Sequence, residues 1–282
     1  MIKDKDVKVM VVTGASSGIG KATAEALAKE GNQVVMVCRS NEKGRQAITD
    51  IQKHVPDAQL ELHLADLSSM EEVRRLADEL KTKYPVIDVL INNAGLIPGH
   101  QETTVDGWEL AWATNHLAPF LLTNLLMDSL LTSEQGRVIN VTSEAHRLGQ
   151  IDFDHAGRPQ KYSAITAYAD SKLANIHFTY ELARRTEFTN LTVNCLHPGV
   201  VASNFGSNSN FFIRHLFRLA GFFMKSPAKG AATSVYLATS PYVKLVSGKY
   251  FKNSKQANSA ADSNNAHVAR RVWDISAEQT GF

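Results

Sequence analysis

The sequence predicts a doubly wound α/β fold, with a mostly parallel sheet covered by helices on both faces. Three observations predict it. Short apolar runs bounded by turn residues recur along the chain, the pattern of buried parallel strands. Segments of helical length and composition separate them, so strand and helix alternate. No linker, repeat or low-complexity stretch divides the 282 residues, enough for one large domain with a sizeable core. The expectation is a single domain, 1–282, built on a seven-stranded sheet.

Composition narrows the class. Hydrophobic residues make up 44% and charged residues 21%, ordinary values for a globular protein. A net charge of +2 argues against a nucleic-acid partner. The N-terminus is short and charged, without the apolar region of a signal peptide, and no later run reaches the roughly 20 apolar residues of a membrane span. A reduced, cytoplasmic compartment is therefore expected. Cys38 and Cys195 lie in apolar runs and read as small buried hydrophobes.

The elements follow in order. Lys8 to Thr13 is the first strand, and Gly14 to Gly20 is a glycine-rich turn. A helix over 21–29 follows, closed by Gly31. Residues 33–38 form the second strand, 41–54 a helix, 59–64 the third strand, 70–84 a helix and 86–91 the fourth strand, which ends in Asn92-Asn93-Ala94-Gly95. A long helix is expected over 105–131, a strand over 136–142 and a loop over 144–163. The next helix runs to about residue 186, and a strand over 191–196 leads into His197-Pro198-Gly199. A helix over 228–239, a last short strand over 248–251, a polar connection over 254–265 and a helix over 267–275 complete the chain.

The chemistry is concentrated in a few motifs. Gly14-x-x-x-Gly18-x-Gly20 follows the first strand, where glycines let backbone N–H groups at a helix N-terminus approach a pyrophosphate. The alternative is a plain strand-to-helix turn. Tyr168 and Lys172 stand four residues apart on one helix face. A free phenol is a weak acid, but a neighbouring cation favours its phenolate and makes it a usable general acid/base. At the end of the second strand, Cys38-Arg39-Ser40 offers no carboxylate for ribose hydroxyls. Its guanidinium instead suits an additional 2′-phosphate, as in NADP. A solvated loop charge is the other reading of Arg39.

With Thr13-Gly14-x-x-x-Gly18-x-Gly20, Asn92-Asn93-Ala94-Gly95, Ser143, Tyr168-x-x-x-Lys172 and Pro198-Gly199 in this order, nearly the whole chain resembles the short-chain dehydrogenase/reductase family. The resemblance implies a Rossmann-type NADP(H)-dependent oxidoreductase. It assigns proton transfer to Tyr168, tuning of that tyrosine and contact with the nicotinamide ribose to Lys172, substrate-oxygen binding to Ser143, and a water-holding relay role to Asn115. It also places Gly14, Ser16, Ser17, Gly18, Ile19, Gly20, Arg39, Asp66, Leu67, Asn92, Ala94, Gly95, Tyr168, Lys172, Pro198, Gly199, Val201 and Ser203 along the cofactor. No metal is implied. His146, His155, Asp152 and Asp154 lack ligand spacing and read as solvated loop residues. Trp108 and Trp112 read as packing or subunit-contact residues.

The interval from Ser143 to Tyr168 is about twice as long as in many members, so 144–163 is expected to cover the substrate pocket. Tyr162-Ser163-x-x-x-Ala167-Tyr168, Ser171-Lys172-Leu173-Ala174-Asn175 and Ser247-Gly248-Lys249-Tyr250-Phe251 resemble the retinol dehydrogenase-like branch, with relatives of the WW-domain oxidoreductase and protochlorophyllide reductase. That resemblance implies a small, lipophilic carbonyl or alcohol substrate of retinoid, steroid or aldehyde type. The aromatic segment 205–224 is read first as a lid over that site, with a peripheral membrane contact or an ordinary packed helix as alternatives. A homo-oligomer is also admitted. Two other functions compete: a non-catalytic NADP-binding sensor or scaffold, and a nucleotide-sugar epimerase, for which the chain after Gly199 is short.

Overall fold

The structure, a computed structural model, describes residues 7–200 and 225–282. Among the described residues eight strands form one sheet: β1 (Val9–Thr13), β2 (Gln33–Cys38), β3 (Leu60–Leu64), β4 (Val89–Asn92), β5 (Arg137–Val141), β6 (Thr192–His197), β7 (Lys249–Lys252) and β8 (Lys255–Ala257). Their order across the sheet is β3-β2-β1-β4-β5-β6-β7-β8. All neighbours are parallel except β7 and β8. The winding reverses between β1 and β4, which opens a crevice at their carboxyl ends.

Helices α1 (Gly18–Lys29), α2 (Asn41–Gln52) and α3 (Met70–Lys83) cross between the first four strands. Next comes α4, a composite over 110–125, and then α5 (Met127–Thr132). Beyond β5 lie α6 (Ala164–Arg185), α7 (Pro227–Thr239) and α8 (Ala266–Thr280). Alternate strand residues feed two cores, as a sheet buried on both faces requires. Val11, Val35, Leu90, Val138 and Val193 pack with α3, α4, α6 and α8. Met10, Val34, Ile91, Ile139 and Leu196 pack with α1, α2 and α7. Both cysteines are free and buried.

Three sequence expectations change. The sheet has eight strands, not seven. Asn253 and Ser254 both adopt positive φ, at 53° and 57°, so the chain reverses in a two-residue hairpin and adds β8 antiparallel to β7. Asn-Ser is a weaker hairpin signal than Asn-Gly, and the turn is fastened from outside by a bond from the Ser254 amide to Thr233 Oγ1 (3.1 Å). The helix expected over 105–131 begins only at Leu110. Gly107 at φ 81° makes a turn first, and Glu109 then caps the helix by accepting from the Trp112 amide (2.8 Å). The helix next widens into a π-helical turn, Ala113–Leu117, and breaks at Leu126. Finally, the loop after β5 opens with a 3₁₀ turn, Glu144–Leu148, for which the Ser143 hydroxyl is the cap, accepting from the Ala145 amide (3.2 Å).

Candidate active site

The carboxyl ends of the parallel strands surround a cavity of about 810 Å³. At one end Gly14 and Gly18 hold positive φ, at 67° and 55°. Gly20 packs against the loop so closely that a Cβ there would lie 2.2 Å from the Gly14 carbonyl oxygen. Thr13 ties this loop to the end of β4. Its Oγ1 accepts from the Asn93 and Ala94 amides (both 3.0 Å), and Asn93 Nδ2 returns a bond to the Thr13 carbonyl (2.7 Å). The Ser17 hydroxyl makes no cap bond, and the first turn of α1 holds no acidic residue. Its first-turn amides and the positive end of its dipole therefore favour an anion.

Most of the anticipated cofactor residues line this cavity: Gly14, Ser16, Ser17, Gly18, Ile19 and Gly20, then Arg39, Asp66, Leu67, Ala94 and Gly95, and lastly Tyr168, Lys172, Pro198 and Gly199. Arg39 is exposed at its rim and forms no ion pair among the described residues. Asn92 does not line it. Its side chain is buried in the sheet and donates to Thr123 Oγ1 (3.0 Å) and Asn140 Oδ1 (2.9 Å), while the neighbouring Asn93 reaches the cavity wall. Alternation along β4 explains the exchange, because consecutive side chains point to opposite sides. Val201, Ser203 and the segment 205–224 lie outside the described residues.

At the other end stand Ser143, Tyr168 and Lys172. Ser143 stands beside the Tyr168 phenol in the same cavity. Lys172 Nζ donates to the Val141 carbonyl (3.0 Å) and sits 5.7 Å from the Tyr168 ring centre. Thr142 Oγ1 holds the Lys172 carbonyl (2.8 Å). Burial pushes the Tyr168 phenol up to about 12, against a smaller opposing effect of the neighbouring Ser143, and pushes the Lys172 ammonium down to about 8. At neutral pH the phenol therefore holds its proton, and the ammonium keeps most of its charge.

Asn115 sits behind this pair. The π turn swings it toward the strand ends, where Oδ1 accepts from the Leu96 amide (2.9 Å) and Nδ2 donates to the Leu96 carbonyl and to Ser171 Oγ (both 3.0 Å). Ser171 Oγ in turn donates to the Tyr168 carbonyl (2.7 Å). A Cβ on Gly95 would lie 3.2 Å from Lys172 Nζ and 3.3 Å from Asn115 Oδ1, so a side chain at 95 would crowd both.

One supporting residue escapes sequence reasoning. His146, expected in solvent, is 1% exposed. Its Nδ1 donates to the Ser143 carbonyl (2.6 Å) and its Nε2 accepts from the Ala260 amide (3.0 Å). The 3₁₀ turn places it under Ser143, but its second partner is more than a hundred residues away, and no local signal announces it. His155, by contrast, stays in the loop and pairs with Asp152 (3.0 Å).

A parallel sheet wound in this order, with a glycine loop at its switch point and a Ser-Tyr-Lys group opposite, places the chain in a class of nicotinamide oxidoreductases. The short chain dehydrogenase family model matches residues 8–211, and the chain belongs to that family. Among its relatives are retinol dehydrogenase 14 of Mus musculus, 41% identical over 98% of this chain and 86% of that protein, and retinol dehydrogenase 11 of Homo sapiens, 40% identical over 98% and 86%. An uncharacterised protein from Mycobacterium paratuberculosis has a similar crystal structure, with a TM-score of 0.80 and 32% identity over 97% of this chain and 93% of that one. A short chain dehydrogenase from Shigella flexneri, crystallised with NADP, has a TM-score of 0.70 and 26% identity over 88% and 97%.

Proposed function

We propose that the protein is an NADP(H)-dependent oxidoreductase that interconverts a lipophilic carbonyl compound and its alcohol, with Tyr168 as general acid/base. The observation that carries this reading is the meeting, in one cavity, of the glycine loop with Ser143, Tyr168 and the buried Lys172.

The residues fit a dinucleotide. The open amides of α1 and the close approach at Gly14 and Gly20 suit a pyrophosphate, and Arg39 suits a 2′-phosphate. Asp66 and Leu67 would border the adenine, and Gly95 and Lys172 would border the nicotinamide ribose. When bound, the cofactor supplies or accepts the hydride. The chain's own part is the proton. Ser143 holds the substrate oxygen by hydrogen bond, and Tyr168 delivers its phenolic proton to that oxygen as negative charge develops there. Lys172 steadies the phenolate left behind, and Asn115, through Ser171 and the Leu96 backbone, fixes the helix that carries both. In the alcohol-oxidising direction the same phenol must first lose its proton, so rising pH favours that direction.

The wall beside Tyr168 is apolar, with Ile97, Ala145, Ile165 and Val200. Ile165 and Val200 are 51% and 50% exposed at the cavity, surface that an apolar substrate would cover. That favours a lipophilic substrate, retinoid or comparable, in keeping with relatives that are retinol dehydrogenases. The test is NADPH oxidation across retinal, aldehydes, quinones and steroids, with NADPH affinity measured in parallel. Turnover of at least one apolar carbonyl is expected. Tight NADPH binding with no turnover of any of them would return the chain to the sensor or scaffold reading.

A further inference from the structure

We propose that His116 is a positioning residue for Asn115, and that it holds Asn115 in place only while Ser276 of the last helix, α8, holds its far edge. This deepens the reading of the Tyr168 site given above and rests on it.

The need for such a residue arises in the sequence of α4. Pro119 has no N–H, so the Asn115 carbonyl lacks the donor that an α-helix places four residues on. Asn175 of α6 supplies one, its Nδ2 donating to that carbonyl (2.7 Å). A donating Nδ2 leaves Asn175 Oδ1 as an acceptor, and it accepts from His116 Nδ1 (3.2 Å). The ring proton therefore sits on Nδ1. Nε2 of the neutral imidazole is then an acceptor, 2.7 Å from Ser276 Oγ. Ser276 Oγ also lies 2.7 Å from the Val272 carbonyl, so its one proton is shared between that carbonyl and the ring.

The line Ser276–His116–Asn175–Asn115 is buried along its whole length. There each end of the imidazole needs its partner, because an unpaired buried polar atom costs a lost hydrogen bond. Burial pushes His116 down to about 4, so the ring keeps one donor and one acceptor at neutral pH. Helix α8 takes a second grip one turn earlier on α4. Gln279 Oε1 accepts from Trp112 Nε1 (2.8 Å), and the Trp112 and His116 rings lie 4.7 Å apart. Trp112 also borders a second cavity, of about 680 Å³, walled by the 150–163 loop and by Glu109 and Asp170 on the outer side of α6. Trp273 keeps α8 seated, packed against Phe120 of α4 and Phe178 of α6 with ring centres 5.0 and 5.9 Å away. The family model ends at residue 211, so the helix that steadies Asn115 lies beyond the part of the chain it matches. Asn115 in turn holds the Leu96 amide through Oδ1 and Ser171 Oγ through Nδ2. A fault at Ser276 should therefore pass through His116 to the π turn and loosen the Leu96 amide.

The test is Ser276→Ala in the full chain, which suits the helix and removes the donor to His116. Amide hydrogen exchange is compared at Leu96, held by Asn115 Oδ1, and at Ile91 inside β4. Leu96 should exchange about threefold or more faster, beyond any change at Ile91, as for the loss of an ordinary hydrogen bond. A role in general stability alone would move both amides together. With NADPH and a carbonyl that the wild-type chain reduces, kcat should fall about three- to tenfold, while KM and NADPH affinity stay within about twofold. Ser276→Thr keeps the hydroxyl and should restore both readings. Should its added methyl group unfold the chain, His116→Asn, which keeps a donor toward Asn175 and drops the acceptor, should reproduce the alanine result. Leu96 exchange that only follows Ile91, or a kcat that holds while Leu96 loosens, would overturn the proposal. So would a folded threonine variant that restores neither reading. If the wild-type chain reduces no carbonyl, the catalytic reading fails instead, and Leu96 exchange still decides whether His116 positions Asn115.

Discussion

Helix α6 turns two faces to two cavities, and their buried ionisable groups are partnered differently. On the inner face Lys172 has the Val141 carbonyl and Tyr168 has Ser143. On the outer face Glu109 has one bonded oxygen and one orphan, and Asp170 is half-buried beside it. Both arrangements store unfavourable desolvation. The inner one is organised around atoms already in place, as the proposed chemistry requires. The outer one is closed by the protein's own packing, its orphaned oxygen sealed from the cavity.

The largest effect that separates the faces is Tyr168→Phe. Removing the phenolic oxygen leaves hydride transfer without its proton, and turnover should fall by roughly 10²–10⁴, the usual worth of a positioned general acid. NADPH affinity, read by fluorescence titration, should change little, because the glycine loop and Arg39 are untouched. Substantial residual turnover would assign the proton to another group.

Next in size is Arg39→Asp. A charge-assisted bond to a 2′-phosphate is worth about 1.5–3 kcal/mol, and a carboxylate there would repel the phosphate as well. NADP binding should weaken at least tenfold while NAD binding stays level or improves. Equal losses for both cofactors would make Arg39 an ordinary surface charge.

Histidines give the third contrast. Burial holds His116, His177 and His197 neutral, each lowered from 6.5 to about 4. Between those pH values the unfolded chain binds protons that the folded chain refuses. The stability these groups contribute is therefore full above pH 6.5 and is lost as pH falls toward 4. Urea midpoints measured from pH 7 to 4 should fall accordingly. His146→Leu should cost about 1–3 kcal/mol by the same measurement at neutral pH, because it strands the Ser143 carbonyl and the Ala260 amide. It should also lower turnover, since Ser143 loses its anchor, and rescue by Asn would separate positioning from bulk packing.

The two faces were unequally legible. The inner cavity is assembled from strand ends, and each strand end carries its motif within a few residues: Gly14 to Gly20, Asn93 to Gly95, Ser143, Pro198-Gly199. Doubly wound topology brings such ends together, so motifs matched in order to a family pattern lead to one cavity. Asn92 shows the limit. The motif was legible, but which of its two asparagines faces the cavity depends on the register of β4. The outer cavity depends on Gln279 meeting Trp112 and on Asp170 meeting Gln150, contacts with no local periodicity. His146 was misread for the same reason, and β8 because an Asn253-Ser254 turn becomes a hairpin only with Thr233 to hold it.

The smallest effect is the most direct test of the outer face. Burial and nearby carboxylate charge raise Asp170 from 3.8 to about 6, with the Gln150 amide opposing. For a group raised on folding, the favourable contribution is complete below pH 3.8 and is lost as pH rises through 6. At neutral pH its ionised form is a liability. Asp170→Asn keeps an oxygen for Gln150 and removes the charge, so it should stabilise the fold at pH 7–8. Asp170 is partly exposed, and solvent screening limits the gain to on the order of 1 kcal/mol. The gain should shrink as pH falls below 6 and vanish near 4. A gain independent of pH would mean that Asp170 is strained by packing and not by its buried charge.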